Sequence, residues 1–180
     1  MMFLDDIELV KHVAEVWGPL QQPWVDLGGL ENPTVAEFKD GWAKLGQMRR
    51  PWDILMPGYI ILNPAYGHPP IEELPKTYKE HFGTIICTST LEHVQNPIRV
   101  VQAMNEIAKP GAIIVISTVF CYPYHNAPQD YWRFTQECMK MLAELAYLKA
   151  LEVGRRISVT VDGLRDHPVD IRSVHLVAQK

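Results

Sequence analysis

His125 and Asp130 lie in the segment Tyr122-Pro-Tyr-His-Asn-Ala-Pro-Gln-Asp-Tyr-Trp-Arg-Phe-Thr135. Imidazole gains and loses protons near neutral pH, so a histidine beside a reacting hydroxyl can act as its base. A carboxylate such as Asp130 can orient that ring or bind an acceptor hydroxyl. Tyr122, Tyr124 and Trp132 offer flat faces on which a sugar can stack. A structural reading competes with this one. In it Asp130 and Arg133 form an ion pair, Trp132 packs in the core and the segment is a rigid loop. Both readings stay open for His125, and the structural one explains Trp132-Arg133-Phe134 better.

A second candidate is Asp26-Leu27-Gly28-Gly29. Glycine lets backbone approach a ligand closely, and a following helix N-terminus favours polar or anionic groups. Taken alone, the segment also reads as a plain strand-to-helix turn. Thr88-Ser89-Thr90 stops an apolar run, and Ser117-Thr118 stops another. The loop Asp162–Asp170 holds Asp166, His167 and Asp170, but no zinc-type ligand spacing appears and no metal is expected.

These residues need a scaffold, and the periodicity supplies one. Thr84-Ile-Ile-Cys87, an amphipathic segment opened by Asn96-Pro97, the turn Lys109-Pro110-Gly111 and Ile113-Ile-Val-Ile116 read as strand, crossover helix, strand. Such βαβ units build parallel sheets, whose ligands bind outside the carboxyl ends of the strands. Asp5 or Asp6 can cap a first helix with Ile7, Val10, Ala14 and Trp17 inward. Trp24–Leu27 and Tyr59–Leu62 read as strands, with a further short one at Ile71–Leu74. Thr34-Val-Ala-Glu37 is a capping-box pattern. Thr135 caps a helix running to Lys149, with Cys138, Met141, Leu142, Leu145 and Leu148 inward. Glu152–Thr160 and Val174–Ala178 close the chain as strands.

Leu91-Glu92-His93-Val94, Lys109-Pro110-Gly111 and Tyr122–Thr135 together resemble the class I S-adenosylmethionine-dependent methyltransferases, in a small branch often linked to saccharide chemistry. The resemblance is specific over Phe82–Thr135 and thinner over Lys39–Glu80. It implies a Rossmann-like α/β sandwich of seven strands, mostly parallel with an antiparallel last strand. It implies S-adenosylmethionine as cofactor, near Asp26, Gly28, Gly29, Thr88 and Ser89. An acid usually holds the ribose hydroxyls in this family. The matching position here is Asn63, which lacks the carboxylate's charge and two-fold acceptance, so Asn63→Asp is expected to tighten binding. Catalysis falls to His125, with Asp130 as its partner. Glu92 reads as a complement to a helix dipole and His93 as a packing residue. A non-catalytic binding or assembly subunit of the same fold is the rival reading.

The chain has 180 residues, 47% of them hydrophobic and 21% charged, which suits a single domain over 1–180 with a buried core. A net charge of -4 argues against nucleic acid or an anionic membrane as partner. A small-molecule acceptor is expected instead. Three cysteines without a C-x-x-C spacing fit a reduced, cytoplasmic protein. No apolar run reaches the roughly 20 residues that a membrane-spanning helix needs.

Overall fold

The computed structural model describes residues 4–29, 56–125, 129–157 and 171–180. Helix α1 (Leu4–Val16) precedes strands β1 (Trp24–Leu27), β2 (Ile60–Leu62) and β3 (Phe82–Thr88). Helix α2 (Pro97–Ile107), strand β4 (Ala108–Val119), helix α3 (Gln136–Leu145), strand β5 (Lys149–Ile157) and strand β6 (Ile171–Gln179) follow. The strands form one sheet of order β2-β1-β3-β4-β6-β5. The first four run parallel, and β6 is antiparallel to both of its neighbours.

The sheet is covered on both faces, and strand alternation shows it. Ile85, Cys87, Ile114, Ile116, Val174, Leu176 and Ala178 enter the larger core under α2 and α3. Ile86, Ile113, Val115 and Val177 point the other way, against Leu9, Val10 and Val13 of α1. A strand buried on both faces needs a continuous apolar run, and that is why β3 and β4 read as they do. Fully burying each valine, leucine or isoleucine among them contributes about 1.5–3 kcal/mol.

Local chemistry sets the helix ends. Asn96 accepts from the Arg99 N–H at 3.0 Å and Pro97 fills the first turn of α2. Thr135 accepts from the Cys138 N–H at 3.1 Å to cap α3. Several expectations need correction. Helix α3 stops at Leu145, because Tyr147 adopts a left-handed φ of 57°. Its buried face is Met139, Leu142 and Ala143, while Met141 and Leu145 are exposed. In α1, Asp5 and Asp6 lie inside the helix, and Asp6, Leu9, Val10 and Val13 are buried while Trp17 is exposed.

Ile71–Lys76 is a 3-10 helix and not a strand. Pro70 and Pro75 offer no N–H to a ladder, and Ile71 and Leu74 turn inward together. Six strands therefore stand among the described residues where seven were expected. Lys109-Pro110-Gly111 lies within β4 as a register shift: Phe82 pairs with Ala108, then Thr84 with Ile113. The capping-box segment at Thr34 and the Asp166, His167 and Asp170 loop lie outside the described residues. Among the described residues no helix is long and apolar enough to cross a membrane, and Cys87, Cys121 and Cys138 are free thiols.

Helix α1 is tied to the β5–β6 hairpin through a shared carboxylate. Glu152 meets His12 Nε2 at 3.0 Å and His175 Nε2 at 2.9 Å. The His175 ring fills the space over Gly154, where a Cβ would come within 2.4 Å of it. His175 is buried, and its Nδ1 has no hydrogen-bond partner. Burial holds the imidazole below its ordinary 6.5, against the opposing pull of Glu152. Burial raises Glu152, but the bonds from His175 and His12 outweigh it and the net shift is downward.

The sign of the pH dependence follows. The unfolded chain protonates its histidine near 6.5, and the folded chain resists. This contribution is whole above pH 6.5 and is lost as pH falls through the lower folded value. The Glu152 contribution is lost below its ordinary 4.5. The melting temperature should therefore fall between pH 7.5 and 5.5, and further below 4.5. His175→Gln should flatten the first interval. A parent protein whose melting temperature is level from pH 7.5 to 5.5 would contradict this account.

Candidate functional site

The carboxyl ends of β1, β2, β3 and β4 share one edge of the sheet, since the four strands are parallel. Polar groups collect there. Gly28 follows β1 at φ 82° and donates its N–H to Leu62 O at 3.0 Å. A Cβ on Gly28 would sit 2.4 Å from Thr90 Oγ1. The fold itself therefore requires glycine here. Thr90 Oγ1 lies 3.2 Å from Leu27 O and 3.0 Å from Thr88 O, and it joins the ends of β1 and β3. A Cβ on Gly29 would overlap the Asp26 carboxylate at 2.2 Å, so Asp26 fills the hollow of the turn. Asp26 is buried, and its charge adds to burial in pushing the Cys87 thiol up.

Asn63 ends β2, and both N–H groups of its amide are used. Nδ2 donates to Gly28 O at 3.1 Å and to Gly29 O at 3.0 Å, while Oδ1 accepts from the Ala65 N–H at 2.9 Å. Oδ1 keeps one lone pair, so this amide could accept a single ribose hydroxyl, without the charge or two-fold acceptance of a carboxylate. Thr88 is half-buried at the end of β3. Ser89 holds a left-handed φ of 48°, donates its N–H to Ser117 O at 2.8 Å and buries a hydroxyl that has no hydrogen-bond partner. Such backbone strain costs about 1–3 kcal/mol and clusters at ligand sites.

The loop after β4 is clamped by Arg133. All five of its N–H groups are engaged. Nε donates to Tyr122 O, Nη1 to Asp130 Oδ1 and Trp132 O, and Nη2 to Asp130 Oδ2 and Pro123 O. Asp130 also accepts the His125 N–H at 2.9 Å and lies 3.2 Å from His125 Nδ1. The bonds from Arg133 hold its carboxyl well below the usual carboxylate range. Asp130 is thus both the ion-pair partner of the structural reading and the neighbour of His125. Trp132 is exposed rather than in the core, and its Nε1 donates to Val94 O at 2.9 Å. Phe134 is the residue that reaches the core.

Two residues were not singled out for chemistry by the sequence. Glu92 is fully buried, accepts from Thr118 Oγ1 at 2.6 Å and has its other oxygen unpartnered. His93 sits against Glu92 with its ring edge-on to His125, 4.9 Å between centroids. The Leu91–Val94 motif was the signal. A helix-dipole role for Glu92 presumed an exposed helix start, whereas Leu91–His93 is a short 3-10 turn against β4.

A glycine turn over a buried acid, beside a strained strand end, gives this α/β protein a candidate ligand site at the carboxyl edge of its parallel strands. The chain belongs to the family described as methyltransferase domain, whose model matches residues 11–152. A ubiquinone biosynthesis O-methyltransferase from Psychrobacter cryohalolentis is 37% identical over 54 residues, which is 30% of this chain and 21% of that protein. One from Pseudoalteromonas translucida is 27% identical over 118 residues, 65% of this chain and 41% of its own length. The chain therefore spans less than half of these relatives. Among solved structures, the [4+2]-cyclase SpnF has TM-score 0.62 at 14% identity, with 97% of this chain and 81% of that one covered. A Burkholderia thailandensis 1,6-didemethyltoxoflavin-N1-methyltransferase with bound S-adenosylhomocysteine has TM-score 0.59 at 14% identity, covering 97% and 76%. These likenesses bear out the Rossmann-like methyltransferase fold.

Asn63→Asp tests the turn. The change removes both donors to Gly28 and Gly29 and sets a carboxylate against two carbonyls. Leaving those groups unpaired should cost about 1–3 kcal/mol, read as a lower urea midpoint. An unchanged midpoint together with tighter S-adenosylhomocysteine binding would instead vindicate the ribose-binding expectation.

Proposed function

We propose that this chain transfers a methyl group from S-adenosylmethionine to a hydroxyl of a small acceptor, a saccharide in the first instance. One observation carries the reading. The Asp26–Gly29 turn and the His125 loop leave the same edge of one parallel sheet, in a chain of the methyltransferase-domain family. The O-methyltransferase relatives support oxygen as the acceptor atom.

The residues present fit the cofactor. The Asp26 carboxylate suits its cationic amino group, the partnerless Ser89 hydroxyl offers a polar contact, and Gly28, Gly29, Asn63 and Thr88 complete the wall. When bound, S-adenosylmethionine would supply an electrophilic sulfonium methyl, whose carbon would pass from sulfur to the acceptor oxygen as the C–S bonding pair stays with the departing thioether. The chain's own task is to hold the acceptor and take its proton. His125 carries the proton-accepting nitrogen. Its Nδ1 faces Asp130 and Pro123 O at 3.2 Å each, which leaves Nε2 with the lone pair. Asp130 acts as a positioning residue, because Arg133 occupies both of its oxygens. Tyr124, Tyr131 and Trp132 present exposed rings for the acceptor.

Asn63 favours a second reading, a binding or assembly member of the fold. Its amide donors are spent on the turn and its oxygen carries no charge, so the ribose end is weakly provided. Fold alone does not decide chemistry. His125→Ala should keep its melting temperature and S-adenosylhomocysteine affinity, yet lose methyl transfer to a saccharide panel by about 10²–10⁴-fold. Absence of S-adenosylhomocysteine binding to the parent at millimolar ligand removes the cofactor claim. Full turnover in His125→Ala removes the base.

A further inference from the structure

We propose that Glu92, His93 and His125 form a binding site for a divalent transition-metal cation of the zinc, cobalt or nickel kind. Each offers one ligand atom, and the three atoms lie within 4.8 Å of one another. The hydrogen-bond pattern assigns the tautomers. His93 Nδ1 is bonded to Gln129 O, and His125 Nδ1 faces Pro123 O and Asp130. Only a protonated Nδ1 can donate to a carbonyl, so both rings keep their lone pair on Nε2. His93 Nε2 then faces Glu92 Oε1 across 3.9 Å, beyond hydrogen-bond reach. That oxygen is buried and has no hydrogen-bond partner. Acceptors that converge with nothing to donate between them call for a cation.

The surroundings match a metal's needs. Ligating histidines characteristically donate their other N–H to a carbonyl or carboxylate, and ligating carboxylates are themselves hydrogen-bonded. Both conditions hold here, the second through Thr118 Oγ1 on Glu92 Oε2 at 2.6 Å. A tetrahedral cation with bonds of about 2.0–2.2 Å holds its ligands roughly 3.3–3.6 Å apart. The present 3.9 Å gap closes on such a centre by small side-chain rotations. Two imidazoles and one carboxylate favour zinc, cobalt or nickel over magnesium or calcium, which prefer oxygen. Arg133 lies within electrostatic reach of Glu92. Its N–H groups are all bound elsewhere, so it does not neutralise Oε1 directly. The three residues leave coordination positions open for an acceptor oxygen. A divalent cation there lowers a bound hydroxyl's proton affinity by itself. In the metal-loaded protein it also occupies the nitrogen that takes the proton in the metal-free one, so the two roles of His125 belong to two different states and the bound cation replaces the imidazole as the activating group.

Titration calorimetry of the chelator-treated full chain with zinc, in the absence of cofactor, separates this claim from methyl transfer. One zinc should bind at least tenfold more tightly than magnesium. His93→Ala, His125→Ala and Glu92→Gln should each weaken zinc at least tenfold. His12→Ala, in the other histidine–carboxylate cluster, should leave it unchanged. Absence of zinc binding to the parent, or loss in His12→Ala with retention in His93→Ala and His125→Ala, overturns the proposal. Where a variant fails to fold, cobalt on the parent reports its ligands directly. Paramagnetic shifts at the rings of His93 and His125 support the site, and shifts at His12 and His175 in their place overturn it.

Discussion

A parallel sheet covered on both faces leaves polar side chains few places to go. Along the middle of β3 and β4 the side chains facing the helical layers, Ile85, Ile86, Cys87, Ile113, Ile114, Val115 and Ile116, are apolar and buried. An unpaired polar group there costs kilocalories, so chemistry is driven to the strand ends. The parallel register then puts the ends of β1 to β4 on one edge. Asp26, Asn63, Ser89 and Thr118 come from distant parts of the chain, and the pairing of their strands brings them to that edge.

The two halves of the edge are built differently. The turn side is knit by neutral hydrogen bonds from Asn63 and Thr90 to main-chain carbonyls. The loop side is held by one guanidinium with every donor engaged. Planar, two-toothed pairing of this kind fixes direction as well as distance, and lysine could not replace it. Through Asp130 the clamp fixes the His125 backbone and ring; through Trp132 and Tyr131 it docks the loop on Glu92 and Val94.

Local features were legible in the sequence. The βαβ unit and the caps Asn96 and Thr135 depend on neighbours a few residues apart, and spacing records such neighbours. Ile71–Leu74 was misread because its apolar spacing serves a 3-10 turn as well as a strand. The stripe of α3 was misassigned because neighbouring stripes differ by about 100° of rotation, and composition does not choose between them. The Leu91–Val94 motif marks Glu92 and His93, but their convergence with His125 is not written in any local pattern. It depends on the clamp folding the loop back over the Leu91–Val94 turn.

Acid challenges these supports in a definite order. His175 lies on β6 level with Ser117, on the face covered by α1, and its contribution begins to fail below pH 6.5 because its ring is buried and held neutral. Asp130 is held ionised by Arg133 to well below the usual carboxylate range, so the clamp survives the loss of the α1–hairpin tie. The linkage sign is the same for both groups, but the windows are separate. The stability lost in mild acid is therefore that of the α1–hairpin tie, and the contribution of the Asp130–Arg133 clamp is lost only at lower pH. The site's geometry thus depends on the parallel half of the sheet and on one ion pair. The histidine–carboxylate pair at the hairpin fastens the layer behind it.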